Sequence, residues 1–323
     1  MFRVVSLFGK PIIAVLGDEP VAREIASRVY PRTTLRKRLF ADLVLSPRLQ
    51  PIAWRPIEDP LAMHGIDGSE LIRRLQQRLG RSGNWPVLIW PRGRQDRVHV
   101  HFVNSGGDSV SFAKIKIGAD SAYIKQEHTA LERLRELRPQ NFRIPEVLGA
   151  ETTDAYSVLM MEGLPFGSKR LDHSNCPFPE PAVAEWSGAA CTATFDEIQR
   201  ASWYDAAISG HPIGFEDSIL KVQAQGGRLC WIHGDLGSEN LFLCDGVLWV
   251  VDWECSCEAG PVATDYTAYW LGAHLTLVKK NPLEARSLLF DNRQHSYSKA
   301  EQVLALMYLA KVGFGPAIQL LHS

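Results

Sequence analysis

"WIHGDLGSENLFLCDGVLWVVDWE", residues 231–254, decides how the rest of this chain is read. It sets His233, Asp235, Asn240, Asp252 and Glu254 between apolar runs with the composition of buried strands. Polar groups placed there are costly unless they are paired or put to use. Asp245-Gly246 is a strong hairpin signal. A hairpin turning at that point carries "VLWVV" back along "NLFLC" and delivers Asp252 beside the loop that holds Asp235 and Asn240. Three oxygen-bearing side chains then converge through hairpin geometry alone.

A cluster of hard oxygen donors suits Mg²⁺, which takes one or two protein groups together with phosphate oxygens. Phosphoryl transfer needs those parts: a carboxylate to take the attacking hydroxyl's proton, and an Asn and an Asp to hold the metal. His233, Asp235 and Asn240 have the H-x-D-x-x-x-x-N spacing of a phosphotransfer loop, and a strand-borne Asp follows at 252.

Working outward, "FAKIKIG" reads as a strand with Lys114 and Lys116 on one face and Ala113, Ile115 and Ile117 on the other. It closes a meander of "WPVLIW", "RVHVHFV" and "SVSFAKIKIG", separated by the turn signals "PRGRQD" and "NSGGD". The pattern of Ile124, His128, Leu131, Leu134 and Leu137 predicts a helix, and "YSVLMME" another strand. Upstream, "DGSELIRRLQQRLG" predicts a helix capped by Ser69 and stopped by Gly80, with Leu71, Ile72, Leu75 and Leu79 on one face. From about residue 180 the pattern is mainly helical, down to "KAEQVLALMYLAKVG". Glu162-Gly163-Leu164-Pro165 suits a boundary. The expected division is therefore 1–84, an N-terminal extension of unassigned structure; 85–162, a β-rich lobe; and 163–323, a helical lobe carrying the 231–254 loop.

The combined string "HGDLGSENLFL…VVDWE" resembles the aminoglycoside phosphotransferase and choline kinase families, relatives of protein kinases that act on small molecules. The resemblance spans roughly residues 85–275. It implies an α+β, bilobal protein-kinase-like fold, with a small antiparallel N-lobe, a mainly helical C-lobe and an extra N-terminal segment. It implies Asp235 as catalytic base and Asn240 and Asp252 as Mg²⁺ ligands. Lys114 would anchor nucleotide phosphates, held by Glu127, and main-chain groups at Met161 and Glu162 would meet adenine. His233 and Asp265 would support the site, and Glu254 would brace the loop or face the acceptor. ATP is the expected nucleotide, with GTP as the alternative. One departure stands out: Gly237-Ser238 replaces the pair that many members carry after His-Gly-Asp-Leu. No Ala-Pro-Glu motif follows Asp252, which argues against a protein kinase. The implied reaction moves a γ-phosphate to a hydroxyl of a small molecule or glycan, whether sugar, amino sugar or amino alcohol. The alternative is a nucleotide-binding pseudokinase scaffold without turnover.

Composition sets the outer limits. The 323 residues are 46% hydrophobic and 22% charged, as in an ordinary globular protein. No apolar run approaches the roughly 20 residues needed to span a bilayer, so no membrane span is expected. Net charge is −1, split as 17 Lys/Arg against 9 Asp/Glu in residues 1–100 and 18 against 27 in the remainder. The basic part lacks any basic-aromatic motif, so no nucleic-acid partner is expected. The six cysteines form no CxxC pair, which predicts reduced thiols and a cytoplasmic protein.

Overall fold

Strand order follows from alternation. In "RVHVHFV" Val98, Val100 and Phe102 turn to one face, and the next strand answers with Ala113 and Ile115. The computed structural model describes residues 1–7, 10–17, 22, 24–26, 54–79, 84–91, 96–104, 108–172, 176–209, 226–292 and 295–321. The chain divides into two compact units, Met1–His128 with Pro145–Gly167, and Thr129–Ile144 with Ser168–Ser323.

The first unit is built on one antiparallel sheet of β1 (Phe2–Leu7), β2 (Lys10–Leu16), β3 (Arg55–Ile57), β4 (Trp85–Ile89), β5 (Arg97–Val103), β6 (Ser109–Ile117), β7 (Val147–Thr152) and β8 (Tyr156–Glu162). Their order is β3-β1-β2-β4-β5-β6-β8-β7. Helix α1 (Gly68–Arg78) lays Leu71, Ile72 and Leu75 on one face, against Val98, Val100, Phe102, Ala113, Ile115, Val158 and Met160. Arg74 and Arg78 tie it to the sheet through Glu151, and Arg74 also reaches the Tyr156 hydroxyl. Asp67, not Ser69, caps α1: its carboxylate accepts the Glu70 N–H at 2.9 Å, while the Ser69 hydroxyl donates to the Glu58 carbonyl. Beyond β6, α2 (Ala122–Leu137) contains the division between the units.

As a domain, residues 1–84 carried no structural assignment from the sequence. Their described strands β1, β2 and β3 pair with one another and, through β2, with β4. The observed unit boundary falls after Gly167. The turn stretches "RGRQ" (92–95) and "SGG" (105–107) lie outside the described residues, as does Gly80.

The second unit holds two three-stranded sheets and most of the helices. β10 (Cys191–Ala193), β11 (Gly227–Ile232) and β14 (Cys257–Pro261) form one sheet, with β11 central. β9 (Lys169–Arg170), β12 (Leu241–Cys244) and β13 (Val247–Val250) form the other, with β12 central. The helices are α3 (Glu180–Ser187), α4 (Phe195–Gln199), α5 (Tyr204–Ser209), α6 (Thr264–Ala273), α7 (Leu275–Lys280), α8 (Pro282–Asp291), α9 (Lys299–Lys311) and α10 (Gly315–Leu321). α9 is buried from Ala300 to Ala310 and forms the middle of the core; a capping box of Ser298 and Glu301 starts it. Trp203, Tyr204, Tyr269 and Trp270 are buried, as a packing role requires. Among the described residues, no helix is long and apolar enough to cross a membrane.

Candidate active site

The site grows from the end of β11. Because that strand is paired on both sides, His233 leaves it from a fixed place. β12 and β13 pair from Leu241↔Val250 to Cys244↔Val247, so the turn is the two residues Asp245 and Gly246, both with positive φ, as a type I′ turn demands. The expected hairpin is therefore present. Its return strand is tied down by the Val251 N–H, which donates to the Asn240 carbonyl at 3.0 Å. Asp252 follows with φ 68° and ψ 58°, a left-handed conformation that costs a non-glycine residue about 1–2 kcal/mol. Its carboxylate does not cap the short 3₁₀ turn Trp253–Cys255 that follows.

His233 stitches the two arms together. Its Nδ1 accepts the Asp235 N–H at 3.3 Å, which leaves Nε2 to carry the proton and donate to the Val251 carbonyl at 3.0 Å. One neutral tautomer satisfies both contacts. The ring packs on Trp253, 4.5 Å between centroids. Asn240 adds a second stitch, its side-chain amide donating to the Asp235 carbonyl at 2.8 Å.

Asp265 holds the base of the loop from α6. Its Oδ1 accepts the Gly234 N–H at 2.9 Å, and its Oδ2 accepts the His233 N–H at 3.0 Å. Gly234 has φ 85°, and a Cβ there would meet the Cys255 carbonyl oxygen at 2.0 Å, so only glycine fits. The Tyr308 hydroxyl fixes that same carbonyl at 2.6 Å.

The Asp235 carboxyl is pushed up to about 7, first by burial and then by the negative charges of Glu239, Asp252, Glu254 and Asp265. Its Oδ1 is closed off from solvent and meets no hydrogen-bond donor among the described residues. The negative charges of Glu239, Asp252 and Glu254 around it are ones that a divalent cation held beside Asp235 would offset. The donor set, carboxylates and an amide, is oxygen-rich and hard, so Mg²⁺ fits it.

In the first unit, Lys114 stands in mid-strand on β6, opposite the face that packs on α1, and is almost fully buried. Its Nζ lies 2.6 Å from Oε2 of Glu127 on α2, which is 1% exposed. Lys116, two residues on, forms an ion pair with Asp96, just before β5. The Glu162 N–H donates to the Glu146 carbonyl and the Gly163 N–H to the Val110 carbonyl, so both amides are already engaged in the sheet. Met161 pairs in register with Phe112.

Two contributors escaped the sequence reading. Glu239 adds a further acid to the loop, visible in the sequence as its neighbour to Asn240. Trp186, on α3, donates from Nε1 to Oδ2 of Asp265 at 3.1 Å, and no sequence pattern marks it.

No protein-family profile matches the chain, and no curated protein matches it. Solved structures do. The chain is similar to the streptomycin–ATP ternary complex of APH(2″)-IIa, with a TM-score of 0.39 and 13% identity over 78% of this chain and 86% of that one. It is similar to a protein assigned as a fructosamine-3-kinase from Haemophilus somnus 129PT, with a TM-score of 0.42 and 12% identity over 75% and 96%. It is also similar to a glucosamine kinase, with a TM-score of 0.32 and 12% identity over 75% and 84%. At such values, chemistry has to be read from the site's own residues.

Proposed function

We propose that the chain is a Mg²⁺- and ATP-dependent phosphotransferase that moves the γ-phosphate to a hydroxyl of a small molecule or glycan. The observation that supports this best is the Asp235 carboxylate. It has a buried oxygen without a donor and a proton affinity near neutrality, and it shares one stitched loop with Asn240 and Asp252. A base of that strength takes a hydroxyl proton most effectively at neutral pH. In the proposed step Asp235 accepts the acceptor's hydroxyl proton as that oxygen bonds to the γ-phosphorus, and the bond to the ADP oxygen breaks. Asn240 and Asp252 would hold Mg²⁺, whose chemistry when bound is to neutralise phosphate charge.

In the first unit, Lys114 is assigned to nucleotide phosphates, with Glu127 keeping its ammonium in place. Main-chain groups near Met161 and Glu162 are assigned to the base, apart from the Glu162 and Gly163 amides, which Glu146 and Val110 already take. His233 and Asp265 position the loop without touching substrate. Six free thiols, with Cys230 pushed up to about 12 by burial, suit a reducing, cytoplasmic setting.

Calorimetry separates the two carboxylates. Asp252→Asn should weaken nucleotide binding only when Mg²⁺ is present, while Asp235→Asn leaves binding near that of the parent. Equal loss of metal dependence in both variants would overturn the division of roles. Mg-ATP binding by the parent without transfer to any acceptor would favour the scaffold.

A further inference from the structure

Asp265 reaches the His233–Gly234 turn with two oxygens and three donors. Oδ1 takes Gly234; Oδ2 takes both His233 and the Trp186 indole N–H. The carboxylate is 2% exposed, and a charge so deeply placed is tolerated only when its lone pairs are engaged. The main-chain pair engages one oxygen each and already sets the χ2 torsion. The third donor comes from a different element, α3, and adds a second bond to Oδ2, so the carboxylate is held from two sides.

Trp186 is itself unusually well fixed. Its ring stands edge-to-face against Phe142, at 5.1 Å and 85°, and against Trp253, at 5.3 Å and 88°. The neighbouring Glu185 carboxylate accepts the Gln140 and Asn141 N–H groups and so pins α3 to the segment that carries Phe142. The indole N–H therefore points at Asp265 because of packing on its other sides. Trp231, in the same ring cluster, shows no such bond to Asp265. Both rings border a cavity of about 370 Å³.

We propose that Trp186 is a positioning residue for the phosphotransfer loop, acting through the hydrogen bond from its indole N–H to Asp265. The role in catalysis rests on the function proposed above; the effect on the loop does not. Without the N–H, the Asp265 carboxylate loses its anchor to α3, the acceptor of the His233 and Gly234 amides is held less firmly, and Asp235 is presented less accurately.

The test uses the full chain. Trp186→Phe keeps an aromatic ring and loses the donor. Trp186→Ala removes both and enlarges the existing cavity, so that added indole has a place to enter. Indene has the same shape and no N–H. Losing one hydrogen bond to a buried charged group corresponds to roughly a 10-fold effect or more. Amide exchange at His233 and Gly234, read by NMR without substrate, is expected to quicken by at least about 10-fold in both variants. kcat should fall by a similar factor with KM for ATP little changed. Indole should restore the Ala variant and indene should not. Trp231→Phe, which loses ring packing and weakens the stacking of Arg133 but removes no bond to Asp265, should show neither change.

Unchanged exchange in Trp186→Phe would overturn the proposal, as would rescue by indene equal to that by indole, which marks a purely space-filling role. If Trp186→Ala does not fold, the Phe variant decides by exchange and kcat. If the parent transfers phosphate to no acceptor, the functional reading falls, and the exchange measurement still decides the role of Trp186.

Discussion

The Asn240 side-chain amide donates to the main-chain carbonyl of Asp235, so the proposed metal ligand also fixes the shape of the loop that presents the base. Asn240→Asp keeps an oxygen ligand but sets an acceptor against an acceptor. It should retain Mg²⁺-dependent nucleotide binding and lose roughly 10²-fold in kcat, the size of effect that about 1 Å of misplacement brings. Asn240→Ala should lose both. Binding and steady-state rates on the two variants check this; an Asp variant within about twofold of the parent in kcat would show that the bond to Asp235 does not matter.

Ionisation of Asp235 should act on activity and stability in opposite directions. Its folded value of about 7 lies above the ordinary value near 3.9 of an unfolded chain. The folded state thus binds the proton more tightly. The stability contributed by the protonated carboxyl is fully present below about pH 4 and is lost as pH rises through about 7. Asp235→Asn should therefore be more stable than the parent at pH 8, by on the order of 1–2 kcal/mol once solvent at this partly exposed side chain is allowed for, with the gap closing near pH 4. Activity of the parent, measured with Mg²⁺, should instead rise with pH, with a midpoint below 7 because a bound cation offsets the Asp252 charge that helps raise the carboxyl. Urea unfolding without Mg²⁺ at both pH values measures the first; a stability gap that does not change with pH would contradict it.

Gly234 admits no side chain. Gly234→Ala combines a positive φ with a Cβ driven into the Cys255 carbonyl. The backbone there is also held by Asp265, so relief by movement breaks hydrogen bonds. A loss of at least about 2 kcal/mol is expected in denaturant unfolding. A variant as stable as the parent would mean that the 233–235 turn has room the packing does not show.

Lys114 and Lys116 differ in what holds them. Lys114→Ala should weaken ATP use strongly, Glu127→Ala should share the defect, and the double variant should be less than additive because the pair acts as a unit. Lys116→Ala loses an ion pair with the half-exposed Asp96 and should cost no more than about 1 kcal/mol of stability, with mild effects on kinetics. A severe Lys116 defect beside a normal Lys114 variant would reverse the assignment.

The legible parts of this chain are those where local chemistry decides. Asp245-Gly246 announces its turn because few residues accept two successive positive φ values. Lys114 is placed by simple alternation with Ala113 and Ile115. The cap of α1 misled, because Asp67 and Ser69 are both good caps and only the backbone turn before the helix selects between them. β1 and β2 stayed hidden because their apolar runs are short and broken by Arg3 and Pro11, and their partners lie outside the run. β7 is half-exposed along its length and includes Gly149, so it carries little hydrophobic signal. Asp265 and Trp186 act from 31 and 47 positions away from Gly234 and His233 respectively, separations at which pattern says nothing about contact.

The central claim is that Asp235 is the base of a phosphotransfer site. The direct measurement is transfer of label from γ-labelled ATP, in the presence of Mg²⁺, to a panel of sugars, amino sugars, amino alcohols and glycans, by the parent and by Asp235→Asn side by side. Labelled product should form with at least one hydroxylated acceptor, and the Asn variant should make it roughly 10²-fold more slowly or worse, the range for losing general-base help. Transfer by Asp235→Asn at the parent's rate would contradict the account.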